Sequence, residues 1–155
     1  MYIFDGAMGT MLQAAGLEEG YCPELFNIER PEVVKDIHAQ YLQHGSDVIT
    51  TNTFGACGLK LEDYDLQDRV REINIAAVKV AKEAIAENKP TARVAGSMGP
   101  TGRFLQPLGN MSFDSIYDTY REQAEALIEG GVDFIIIETI IDVQEMRAAL
   151  LASLD

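Results

Sequence analysis

The stretch VDFIIIET, residues 132–139, decides the fold. Phe134 to Ile137 form an unbroken apolar run, rich in β-branched isoleucine, and an acid, Glu138, follows at once. A strand wetted on one face alternates apolar with polar residues; a short run without alternation predicts a strand covered on both faces, as in a parallel sheet. Three more stretches share the pattern of an apolar run that ends in polar or glycine residues. Tyr2-Ile3-Phe4 runs into Asp5 and the turn Gly6-Ala7-Met8-Gly9. DVITTNTF, 47–54, ends in Thr51-Asn52-Thr53, and ARVAGSMGP, 92–100, ends at Ser97-Met98-Gly99-Pro100.

Helical spacing fills the gaps between these runs. Val33, Val34, Ile37, Tyr41 and Leu42 follow Pro31, a good first helical residue, and Gly45 reads as the stop. Val70, Ile73, Ala77, Val80 and Ala84 predict a helix over 68–87. Ile116, Tyr120, Ala124, Leu127 and Ile128 predict a third, capped by Ser112 or Asp114 and stopped by Gly130-Gly131. A last helix starts near Asp142 and runs through Met146, Leu150 and Leu151. Strand and helix thus alternate four times, which gives a parallel sheet.

The strand exits fall near Asp5, Asn52, Ser97 and Glu138, spaced by 47, 45 and 41 residues. A doubly wound sheet concentrates its ligand site at one switch point, whereas a (β/α)8 barrel uses the carboxyl ends of many strands. Four polar strand ends in succession favour the barrel. A full barrel needs eight units and about 250 residues. The chain has 155 residues and four units. The expected fold is therefore α/β, a (β/α)8 TIM barrel of which residues 1–155 supply the first four βα units as a half-barrel. No linker inside the chain suggests a second domain.

Bulk properties narrow the function classes. A hydrophobic content of 47% and a mean hydropathy of -0.02 suit a soluble domain with a sizeable core. A net charge of -13 argues against nucleic acid, whose phosphates attract Lys and Arg. No apolar run approaches the roughly 20 residues of a membrane span, and no secretory leader is visible at the N-terminus. Two cysteines make no disulfide framework, so a reducing, cytoplasmic setting is expected.

The chemistry concentrates at the strand exits. The turn DGAMGT, residues 5–10, lacks the pattern of a phosphate-binding loop and contains no Lys or Arg. Its backbone N–H groups could seat a carboxylate, or it could be a plain turn with Asp5 as cap. Glu138 needs a partner, because an unpaired buried charge is costly. A ligand ammonium would serve, and so would a structural Arg or Lys. Asn52 could touch a ligand or form a turn. Cys22, His38, His44 and Cys57 are the only Cys and His residues, and their spacing matches no zinc site, so no metal ligand is expected in this chain.

Four segments together carry a resemblance: FDGAMGTMLQ (4–13), LFNIERPEVVKDIHAQYLQHGSDVITTNTFGA (25–56), GSMGPTGRFLQPLG (96–109) and FIIIETIIDVQEMRAALLA (134–152). In order and over nearly the whole chain, they resemble the homocysteine S-methyltransferase family. The GPTG…PLG stretch is most similar to its cobalamin-dependent methionine synthase branch, rather than to the betaine- or S-methylmethionine-dependent ones. The resemblance implies a methyltransferase barrel acting in methionine biosynthesis. Its strand-one turn, here Gly6, Ala7 and Met8, would seat the homocysteine carboxylate. Glu138 would hold the substrate ammonium, and Asp5 and Asn52 would shape the same pocket. It also implies zinc bound by cysteines of a second barrel half, and a methyl group delivered from methylcobalamin and 5-methyltetrahydrofolate by further domains. On this view the chain holds the amino-acid end of a site whose metal end lies elsewhere, and alone it is inactive. Its other partners would be the rest of the barrel and those domains. Four strands alone would leave two edges unpaired, so the isolated chain is expected to self-associate.

Overall fold

The computed structural model describes residues 1–154. Its helices are α1 (Met8–Ala14), α2 (Phe26–Glu29), α3 (Pro31–Gln43), α4 (Gly58–Leu61), α5 (Val70–Asn88), α6 (Phe113–Gly130) and α7 (Val143–Ala152). Its strands are β1 (Val48–Thr50), β2 (Arg93–Met98) and β3 (Phe134–Ile137). All three strands are parallel and lie in the order β1-β2-β3, with Thr50 opposite Ala95 and Ser97 opposite Ile136. Phe4 adds a parallel bridge to Val48 beyond β1. Sequence order and spatial order therefore agree from Phe4 to Ile137, without the reversal that marks a doubly wound sheet.

The long helices start and stop where side chains and glycines dictate. Ser112 Oγ accepts the N–H of Ser115 at the start of α6, and Gly131, at φ 87°, ends it in the left-handed conformation. Asp142 caps α7 by accepting the N–H groups of Gln144 and Glu145. Ile49 and Val94 pack on Leu42 of α3 and on Ala81, Ala84 and Ile85 of α5. Met98, Ile135 and Ile137 pack on Ile116, Tyr120 and Leu127 of α6 and on Ala148, Ala149 and Ala152 of α7. Side chains alternate along a strand. Val48, Thr50, Ala95, Ser97, Phe134 and Ile136 therefore point to the opposite face.

That second face corrects one expectation. The run 134–137 predicts a strand covered on both sides, yet all four residues are half-buried. Ile135 and Ile137 join a helix-lined cluster; Phe134 and Ile136 join none. The sheet is also strongly curled. The Phe4 and Phe134 rings, three strands apart, meet edge to face with centroids 6.1 Å apart, whereas strands spaced about 4.8 Å would hold them roughly 14 Å apart in a flat sheet.

The first predicted strand shrinks to the single bridge at Phe4. Val48 donates to the Ile3 carbonyl at 3.1 Å, and Asp5 donates to the Val48 carbonyl at 3.0 Å. Helix α1 begins at Met8, three residues past Asp5, which ends the ladder there. The short α2 and α4 leave no signal in the sequence, because segments of one turn are too short for a 3.6-residue period to show.

Candidate functional site

Asp5 is fixed by the second strand. Its carboxylate accepts the Thr50 N–H at 2.8 Å and the Thr50 hydroxyl at 3.0 Å. Burial pushes its carboxyl up to about 6 against the pull of those two bonds, and the charge of Glu138 adds to the rise. Glu138 leaves β3 with its N–H on the Met98 carbonyl at 3.0 Å, and its Oε1 accepts the Ser97 hydroxyl at 2.7 Å. The next residue, Thr139, sits at φ 63°. For a β-branched side chain this is a strained conformation of the kind that collects at functional strand exits. Among the described residues neither acid forms an ion pair with Lys or Arg. The structural cation that the sequence left open for Glu138 is therefore not found among the described residues.

The turn after Asp5 is held by α3. The Tyr41 hydroxyl donates to the Ala7 carbonyl at 3.0 Å. The same ring lies so close to Gly6 that a Cβ there would come within 3.0 Å of it, which explains the glycine. Ala7 begins α1 with no side-chain cap, so the first N–H groups of the turn and helix are left for water or a ligand. Asn52 is buried and ties its loop to the segment 23–27: its Nδ2 donates to the Pro23 carbonyl at 2.8 Å, and its own carbonyl accepts Asn27 Nδ2 at 2.7 Å.

These residues converge. Asp5, Gly6, Ala7, Met8, Asn52 and Glu138 all line one cleft of about 540 Å³ at the carboxyl ends of the strands. Its floor carries Phe4 and Ile136, and Thr50, Ser97, Glu24 and Phe54 complete the walls. Sequence reasoning noted Ser97 as a strand exit but gave it no role, and it gave none to Thr50. The signal was there: both are polar and sit at strand ends among apolar residues. Glu24 gave no signal, being an acid in a loop. It is buried, accepts the Gly55 N–H at 2.7 Å through Oε1, and accepts the Cys22 thiol at 3.3 Å through Oε2.

Zinc sites need thiolates or accessible imidazoles, and the residues present do not fit one. Burial, with the charge of Glu24, pushes the Cys22 thiol up to about 12. Burial likewise pushes Cys57 up to about 11. His38 lies fully inside the protein with both ring nitrogens unpartnered, and burial pulls its imidazole down to about 4. No group of three Cys, His, Asp or Glu among the described residues is placed to hold a metal ion. Two carboxylates and a run of backbone N–H groups in one cleft are a set suited to a small zwitterion.

Comparison with known proteins agrees in kind. A family model described as homocysteine S-methyltransferase matches residues 2–155. Methionine synthase of Mycobacterium tuberculosis (strain ATCC 25618 / H37Rv) is 41% identical over 159 residues, and that of Mycobacterium leprae (strain TN) is 38% identical over 159. Each alignment covers 96% of this chain, which spans only 13% of the length of these relatives. Among solved structures, the oxidized form of the homocysteine methyltransferase MmuM from Escherichia coli superposes with a TM-score of 0.81 at 26% identity, over 98% of this chain and 58% of that one. Its metallated form gives a TM-score of 0.80 at 26% identity, over 97% and 59%.

Proposed function

This chain belongs to the homocysteine S-methyltransferase family, and from that premise we propose that its cleft holds the amino-acid end of homocysteine in an enzyme that methylates the homocysteine thiol to give methionine. One observation carries the proposal: Asp5 and Glu138 share a cleft, and among the described residues no Lys or Arg is paired to either. Two acids so placed repel each other, and a substrate ammonium between them relieves the repulsion. The substrate carboxylate then faces the N–H groups of Gly6, Ala7 and Met8, which no side chain caps. Asn52 shapes the wall through Pro23, and Ser97 and Thr50 orient the two acids. The thiol points out of the cleft, toward the methyl donor.

The four βα units form the first half of a (β/α)8 barrel domain that spans residues 1–155 and continues in the longer parent. The ring contact between Phe4 and Phe134 supports that curvature. In an eight-stranded barrel the side chains just fill the interior, so rings from strands one and four should touch near the axis. The identity to methionine synthases favours the cobalamin-dependent branch, with methylcobalamin and 5-methyltetrahydrofolate bound by other domains. The zinc of such an enzyme would be held beyond this chain, and no step here is routed through it. The two free thiols fit a reducing, cytoplasmic compartment.

Titration with analogues tests the reading. Replacing homocysteine by 4-mercaptobutanoate removes the ammonium, and replacing it by 3-aminopropanethiol removes the carboxylate. Each is expected to bind at least tenfold more weakly than homocysteine. Equal binding of all three would overturn the assignment of both ends.

A further inference from the structure

We propose that Phe54 selects substrates by side-chain length, its ring forming the wall on which the two methylenes between Cα and sulfur of homocysteine lie. This deepens the amino-acid reading of the cleft and rests on it. With the amino-acid head group fixed by Asp5, Glu138 and the turn 6–8, the side chain can run toward the floor or toward the mouth. Below the strand exits the cleft is lined by the strand residues Phe4 and Ile136. A thiol that receives a group from outside must face the mouth, and there Phe54 offers a large apolar wall.

The ring is 41% exposed, yet its place is built with care. Gly99 lies flat against it: a Cβ on Gly99 would stand 2.7 Å from two ring carbons and from the Phe54 carbonyl. The Gly99 N–H donates to that carbonyl at 3.0 Å. The Gly99 carbonyl in turn accepts the Tyr120 hydroxyl at 3.0 Å, and this hydroxyl also lies 3.0 Å from the buried Glu145 carboxylate. On the other side, the Gly55 N–H is tied to the buried Glu24 carboxylate. An exposed aromatic side chain held from both flanks by buried carboxylates is positioned for contact with something beyond the chain itself. The glycine of the Gly-Pro-Thr-Gly stretch thereby acquires a role: it makes room for the ring.

Calorimetric titration of the full-length enzyme that carries this chain with L-homocysteine, L-cysteine and L-alanine, under reducing conditions, tests this. Phe54→Ala should weaken homocysteine binding about tenfold, because each methylene removed from water contributes roughly fourfold. It should weaken cysteine less and leave alanine unchanged, while Phe54→Leu restores most of the loss. Gly99→Ala, which keeps Phe54 but displaces its ring, should lower homocysteine affinity in the same direction, with thermal unfolding run alongside as the folding control. Unchanged homocysteine affinity in Phe54→Ala, with alanine still bound, overturns the role of Phe54 and spares the amino-acid site. Failure of the unmodified enzyme to take up either homocysteine or alanine overturns both.

Discussion

At the scale of single residues, the cleft is governed by two acids that lack a cation. Glu138 has the Ser97 hydroxyl as its hydrogen-bond donor, which orients the carboxylate without neutralising it. In the enzyme that carries this chain, Glu138→Gln should weaken homocysteine binding about ten- to a hundredfold, the worth of one charged hydrogen bond; calorimetric titration reads the change. Asp5 sets the pH dependence. Its carboxyl is raised from 3.8 to about 6, so as pH falls through 6 it takes up a proton and stops attracting an ammonium. Affinity for homocysteine should therefore decline from pH 7 to pH 5. Stability runs the other way at this residue: a raised pKa contributes fully below 3.8, and the contribution is lost as pH rises through 6. His38 opposes it. Its imidazole is lowered from 6.5 to about 4, so its contribution is present above 6.5 and lost as pH falls toward 4. The two slopes offset each other between pH 4 and 6. Asp5→Asn removes one of them, and its unfolding midpoint should then climb more steeply with pH over that window than that of the unmodified chain.

At the scale of elements, α7 shows how one helix carries two roles with different costs. Asp142 caps it through two N–H groups at the surface. Three residues on, Glu145 is buried, and one of its oxygens accepts the Thr101 N–H at 2.8 Å and the Thr101 hydroxyl at 2.7 Å and lies 3.0 Å from the Tyr120 hydroxyl. Asp142→Ala should cost about 1 kcal/mol, the usual value of a cap. Glu145→Ala should cost about 3 kcal/mol, since it strands several buried donors. With about 2–4 °C of unfolding midpoint per kcal/mol for a chain of this size, thermal melts separate the two. Similar shifts would mean that the Glu145 network is not a structural tie between α7, α6 and the loop after β2.

At the scale of the whole molecule, helices cover one face of the sheet, while the other, curled on itself, buries Val48, Ala95 and Ser97 and leaves Phe134 and Ile136 half-covered. Tyr2 and Ile3 are exposed along one edge, and Leu150 and Leu154 border a groove with Ile128 and Val132 along the other. Unpaired strand edges and apolar flanks of this kind attract further strands. Expressed as the 155-residue chain, the protein should associate rather than remain monomeric, because parallel edges at both ends of a curled sheet let a second copy continue it. Light scattering checks this: a stable monomer with sharp tertiary signals would show that the flanks need no cover.

The sequence by itself determined the order of elements and the site's location, because both rest on local rules. Apolar runs that end in Asp5, Asn52, Ser97 and Glu138 mark strand exits, and in a parallel sheet all exits lie on one side. Helix bounds at Ser112, Gly131 and Asp142 were legible because capping is a matter of neighbouring residues. Only the tertiary structure decided what partners the acids have. Whether a cation reaches Glu138, whether Tyr41 braces Gly6, and whether Gly99 lies flat on Phe54 depend on contacts between residues more than 30 positions apart, and no local pattern encodes them. The same holds for Glu24, whose burial comes from the loop after β1 folding over it. The curl of the sheet was likewise invisible in the sequence, because it is set by how α3, α5, α6 and α7 press on one face while the other carries Phe4 and Phe134 in contact.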